Sequence, residues 1–323
     1  MNPQDNVSAP TSAPNATPAS SGQVMPAPEI QNVSQLPIIK IGKFKASRMI
    51  VSQSWKVLKD EKGLAWFPVL SAIVSLVALI GMVATFFFVV MGGNIHAFDN
   101  IKETGGNVIS YVILFVYYLV MFLITNYFLA GMYIIIHGRF KGQNISFTDG
   151  INGANKNLGK IFMWSLISAT IGVVLRIVAD NFKIVGRVVA YILGAAWSIL
   201  TYFSLPALII GQKSVKESFK DSAATIRKNW GETIIVNFGT GLFFGLLTLA
   251  VLILAIGAMI LVPVIGMVIL VGILCAIYLV AITIISSTLG SIFKLALYEY
   301  AETGTVPQGF DADLIRGAVK AGK

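Results

Sequence analysis

The sequence predicts an all-α membrane protein, a polytopic bundle of six transmembrane helices built as three hairpins, each preceded by a short cytoplasmic amphipathic helix. Three observations carry that prediction. Of 323 residues, 56% are hydrophobic and only 12% charged, about half the charged share of a soluble domain. That leaves too little polar surface to cover a water-soluble fold of this size. The apolar residues gather into runs of membrane length, and 20 of the 24 Lys and Arg sit in the two terminal segments and in alternate connections between those runs.

Taken in order, residues 1–37 are rich in Pro, Ser, Ala, Asn, Gln and Thr, with Asp5 and Glu29 the only charges. Such a segment buries too little apolar surface to offset its ordering entropy, so it reads as a disordered arm. It lacks the basic start and apolar stretch of a signal peptide. A transmembrane domain over 38–300 follows, with three units at about 44–136, 146–210 and 218–293, and then a cytoplasmic tail, 301–323. The predicted spans are Leu64–Met91, Val108–Ile136, Ile161–Ile177, Val185–Ile210, Thr233–Val262 and Val264–Phe293. Arg176 marks the end of the third, where a long side chain can snorkel to the interface. The last two come from one uncharged stretch of 61 residues, roughly 90 Å as helix. Pro263 places the turn; three spans of about 20 residues are the alternative.

Counting Lys and Arg by side puts 20 on the face shared by the N-terminal segment, residues 137–160, residues 211–232 and the chain after Phe293 (Lys294 and the tail), against 4 on the other face. The positive-inside rule then places both termini in the cytoplasm of a multi-pass cell-membrane protein. The net charge of +9 lies in short connections beside apolar runs, which points to anionic phospholipid headgroups rather than nucleic acid.

The two long connections repeat at an offset of 72. Ser146-Phe147-x-Asp149 and Lys156-Asn157-x-Gly159 return as Ser218-Phe219-x-Asp221 and Lys228-Asn229-x-Gly231. Fixed-offset similarity marks a repeated unit. Ser-x-x-Asp is a helix-capping signature. Phe147, Ile151, Ala154 and Leu158, like Phe219, Ala223, Ile226 and Trp230, share one helical face. A weaker copy, Val51, Trp55, Leu58 and Gly63, precedes the first span. These helices either cover the end of the bundle or sense lipid or a partner.

Val185-Gly186-Arg187, Gly194-Ala195-Ala196-Trp197-Ser198, Leu205-Pro206-Ala207, Ser218-Phe219, Trp230-Gly231-Glu232, Asn237-Phe238-Gly239, Leu297-Tyr298-x-Tyr300 and Val306-Pro307-x-Gly309-Phe310-Asp311 together resemble one family of prokaryotic six-helix membrane proteins of unknown function. The resemblance covers roughly 44–320. It implies the six-span plan and no catalytic or ligand-binding residues.

Chemistry is sparse. The predicted span interiors hold no Asp, Glu or Lys, so a carboxylate relay for coupled transport is disfavoured. No His-Glu-x-x-His or Gly-x-Ser-x-Gly occurs. His96 and His137 are too few and too far apart for a histidine metal site, and the single Cys275 reads as a core residue. No enzyme activity or cofactor is predicted. Asn126 and Asn237 read as hydrogen-bonding glue between helices, and Gly241-x-x-x-Gly245 as a close-packing face continued by Asn237, with another span or a second copy of the chain as partner. Two functions follow: a non-enzymatic scaffold that engages anionic lipid or a protein partner, and a transporter or channel for a small solute.

Overall fold

Backbone in hydrocarbon must satisfy its own N–H and C=O groups, and the apolar runs accordingly form helices. In the computed structural model the described residues, 43–90, 106–229, 239–261 and 265–320, contain no strand. All belong to one unit, Ile38–Lys323; the arm expected at 1–37 lies outside the described residues. Five helical segments are long and apolar enough to cross a membrane: Lys62–Phe88, Ser110–Phe140, Leu158–Asn181, Ile184–Ile209 and Ile265–Thr303. A further apolar helix, Phe244–Ile260, is shorter.

The helices are α1 (Lys43–Asp60), α2 (Trp66–Thr85, prolonged by a π-helical turn, Phe86–Val90), α3 (Gly106–Phe140), α4 (Phe147–Lys156), α5 (Leu158–Asn181) and α6 (Lys183–Leu200). Then come α7 (Ser204–Ile209), α8 (Val215–Asn229), α9 (Gly239–Leu261), α10 (Ile265–Thr303) and α11 (Ala312–Lys320). The turn expected at Pro263 lies outside the described residues; α9 and α10 flank it.

Several boundaries differ from the sequence reading. Arg176 lies inside α5, which runs on to Asn181, and its guanidinium donates to Asp180 at 2.9 Å. Lys294 does not end α10, which continues ten residues past Phe293 to Thr303. The fourth span is interrupted: α6 stops, Thr201–Phe203 turn, and α7 begins again. Pro206 supplies the reason. It has no N–H to donate to the Tyr202 carbonyl and its ring crowds that carbonyl, so a helix tolerates it only in its first turn.

Burial divides the bundle along its length. In α3 the buried residues start at Ala130, and in α10 at Thr288. Before those points the helices present Val108, Val112, Val116 and Ile265, Ile269, Ile273, Ile277 outward. With 35 and 39 residues, α3 and α10 are roughly 52 and 58 Å long, far beyond the ~30 Å hydrocarbon core of a bilayer. Their surplus ends pack with α1, the start of α2, α4, α7, α8 and α11 into a collar at one end. Leu64, Phe67, Tyr133, Ile136, Phe203 and Leu208 are among the most deeply buried side chains there.

The collar also holds both ends of the described chain. Phe310 packs on the rings of Phe140 and Phe293 at 5.9 and 6.2 Å. Gln53 of α1 accepts from the Asp311 amide at 3.1 Å. The Asp311 carboxylate in turn accepts from the amides of Asp313 and Leu314 at 2.9 and 3.1 Å, which caps α11. The tail segment 304–315 is therefore docked on the collar through Pro307, Leu314 and Ile315, all buried.

Candidate functional site

Polar and charged side chains with defined partners concentrate in the collar. The connection after α7 turns at Gln212, whose φ of 51° is a left-handed conformation uncommon for a non-glycine. The Gln212 side chain donates to the Ile209 carbonyl at 2.5 Å and accepts from Lys160 at 3.0 Å. That turn aims Lys213 between two elements. Its ammonium lies 2.8 Å from Asp221 of α8 and 3.0 Å from Glu302 of α10. Partial burial works against the charge, but these two carboxylates outweigh it and hold the Lys213 pKa above its ordinary value. One turn earlier on α10, Glu299 accepts from His137 Nδ1 of α3 at 2.5 Å. The last turns of α10 are thus tied to α3 through His137 and to the α7–α8 segment through Lys213.

The residues singled out by the repeat diverge in what they do. Ser146 and Asp149 form the expected capping box: the Asp149 amide donates to the Ser146 hydroxyl at 3.2 Å, and the Asp149 carboxylate accepts from the Ser146 amide at 3.1 Å. The Ser146 hydroxyl and amide hydrogen bonds also lower the Asp149 pKa. In the second copy the box lies one turn earlier. Ser214 and Glu217 make the reciprocal bonds at 3.3 and 3.0 Å, again lowering the carboxyl pKa, here of Glu217. Ser218 and Asp221 sit inside α8, not at its cap. Ser218 is fully buried, and Asp221 is free to take Lys213. The helix α4 stops at Lys156, and Gly159 of the repeated pattern lies in the first turn of α5.

The repeated phenylalanines do share a role. Phe147 packs on Phe67 at 4.6 Å. Phe219 stacks on Trp197 at 5.6 Å, and Trp197 stacks on Trp164 at 6.1 Å. Each pins a collar helix to rings of the bundle. In α1 the inward face is Ile50, Ser54, Val57 and Leu58, whereas Trp55 is 39% exposed, so of Val51, Trp55 and Leu58 only the last is buried. Lys156 is exposed. Lys228 and Gly241 are placed by their backbone within α8 and α9. Trp230, Gly231 and Asn237 lie outside the described residues.

A close helix crossing occurs at Gly131 and Gly150. A Cβ added at Gly150 of α4 would lie 2.9 Å from the Gly131 carbonyl oxygen of α3, and one at Gly131 would lie 2.6 Å from the Phe67 ring. A Cβ at Gly245 meets nothing within 4 Å. Gly245 opens instead on a groove of about 440 Å³ between α9 and α10, where Thr248, Thr283 and Ser286 are the polar lining residues. Thr283 and Ser286 donate to carbonyls of their own helix at 2.6 and 3.2 Å. Asn126 is glue of the expected kind: its amide donates to the buried Ser165 hydroxyl at 3.0 Å across α3 and α5. No cluster of three metal-binding side chains occurs among the described residues.

Lys294 was missed as a site residue, because a single lysine at the end of an apolar run carries no distinguishing pattern. It sits 4.4 Å over the Tyr202 ring.

Residues 108–309, more than half of the chain, match a family described as a family of unknown function (DUF6159). The match is narrower than the 44–320 of the sequence resemblance and leaves α1, α2 and α11 outside it. No curated protein and no solved structure matches the chain.

Proposed function

We propose that this chain, which belongs to the DUF6159 family of unknown function, is a six-span, non-enzymatic scaffold of the cell membrane whose collar engages anionic phospholipid at the cytoplasmic face. The observation that carries the reading is the division of burial. The folded core is gathered in the collar, while the spanning segments turn apolar side chains outward, as lipid-facing helices do. The six-span count rests on the collar as well. Because α1 and α11 pack together at one end, the chain between them crosses an even number of times, and α9 supplies the sixth crossing. The three units are then hairpins α2–α3, α5–α6 and α9–α10, led by α1, α4 and α8 as amphipathic helices.

Cytoplasmic placement follows from charge. Arg48, Lys56, Lys59, Lys141, Lys156 and Lys216 are exposed on collar elements, and a Lys or Arg near an anionic leaflet contributes about 1 kcal/mol. Transport is the second reading, and the hydroxyl-bearing groove beside Gly245 is the feature that favours it. Against it, Asn126 of α3 is already hydrogen-bonded to Ser165.

Reconstitution tests the reading. In vesicles of phosphatidylcholine with 30% phosphatidylglycerol, the thermal midpoint should exceed that in phosphatidylcholine alone, and the difference should shrink in high salt. Equal midpoints in the two lipids would contradict it.

A further inference from the structure

We propose that Lys294, the Tyr202 ring and the Tyr133 hydroxyl form a binding site for a phosphate oxyanion at the inner edge of the bundle. Lys294 is a cation on the longest apolar helix among the described residues. Among the described residues it makes no ion pair, and the Tyr202 ring is its recorded charge-directed contact. A ring face offsets part of the desolvation of an ammonium but leaves its donors unfilled. An ionisable group held in such a place marks a site, and its natural complement is an anion.

A second observation points the same way. Tyr133 is fully buried, and its hydroxyl stands beside Tyr202 and Ser291 with no partner at full hydrogen-bond geometry, Ser291 being its nearest hydroxyl neighbour. A buried hydroxyl with so poor a partner gains from a charged acceptor, and an oxyanion would accept from it. Lys294 and Tyr202 are both partly exposed, so an anion reaches them from the surface, and Tyr133 lies on the buried side of Tyr202. Ser291 lies one turn before Lys294 on the same face of α10.

Depth selects the ligand class. Lys294 is about 44 Å along α10 from Ile265, and Tyr133 about 40 Å along α3 from Gly106. Both distances match the ~40–45 Å thickness of a bilayer with its headgroups. The site therefore lies at the level of lipid phosphates on the collar side. The shared chemistry is a phosphate mono- or diester, supplied by a phospholipid headgroup or by free phosphate. The proposal rests on the collar reading above and names one headgroup position within it.

The test compares wild type, Lys294→Gln, Lys294→Arg and Tyr133→Phe, each full length and in nanodiscs. Native mass spectrometry would count retained phosphatidylglycerol, and thermal midpoints would be read with and without inorganic phosphate. Wild type should retain one more phosphatidylglycerol than Lys294→Gln. Lys294→Arg should hold it, and Tyr133→Phe should lose it several-fold more readily without a lower midpoint. A midpoint raised by inorganic phosphate in wild type but not in Lys294→Gln would also support the site and assign it to the free anion. Equal lipid retention by wild type and Lys294→Gln, with no phosphate effect, would overturn the proposal. If that occurred while the phosphatidylglycerol dependence of stability persisted, the collar reading would stand without this site.

Discussion

Gly150→Leu should unfold or badly destabilise the protein, by about 3–5 kcal/mol, the range of the most disruptive core substitutions. The added Cβ would lie 2.9 Å from both the Gly131 carbonyl oxygen and the Ile135 side chain. A backbone carbonyl held in α3 cannot yield as a side-chain tip can, so α4 must lift from the bundle, taking the Phe147–Phe67 contact with it. Gly245→Leu is the control. Its new side chain enters open groove, and the variant should fold like the parent. Denaturation of detergent-purified variants, followed by tryptophan fluorescence, separates the two. Parental stability for Gly150→Leu would show that α3 and α4 do not cross so closely.

Lys213→Met should be the next most damaging, at about 2 kcal/mol. Breaking a buried ion pair takes 3–5 kcal/mol, and Lys213 and Asp221 are each 25% exposed while Glu302 is 44% exposed, so solvent screening reduces the effect. The methionine keeps the aliphatic stem and strands Asp221 and Glu302 against each other. Adding Asp221→Asn to Lys213→Met should restore part of the loss, which urea or thermal titration would register. The pH dependence has a fixed sign. A lysine whose folded pKa is raised contributes its full stabilisation below its unfolded value, here 10.5, and loses it as pH rises through the higher folded value. The gap between Lys213→Met and wild type should therefore be constant from pH 7 to about 9.5 and close only in stronger alkali.

Composition and hydropathy made the helical membrane class legible, since nothing else accommodates so few charges. The polar edges were less legible. Lys294 and Arg176 interrupt a hydropathy run, but helix hydrogen bonding does not stop at a membrane boundary, so α10 and α5 run past them. The second capping box was misplaced because Ser214-x-x-Glu217 and Ser218-x-x-Asp221 carry the same signature one turn apart. Only burial of Ser218 distinguishes them. Gly241 and Gly245 drew notice through their spacing in one helix. Gly131 and Gly150 meet from different helices, and local spacing encodes nothing of that. The collar's polar contacts are equally hidden, joining residues 162 positions apart for His137 and Glu299 and 89 apart for Lys213 and Glu302. Phe147 and Phe219 were legible because the repeat displays them twice.

Sidedness of the collar tests the account most directly. In a Cys275→Ser background, single cysteines would be placed at Gln308, exposed on the docked tail, and at Phe182, 65% exposed between α5 and α6. A membrane-impermeant maleimide added to intact cells should label Phe182→Cys and leave Gln308→Cys unmodified until the membrane is opened. Labelling of Gln308→Cys in intact cells would put the collar outside and contradict its engagement with the cytoplasmic leaflet.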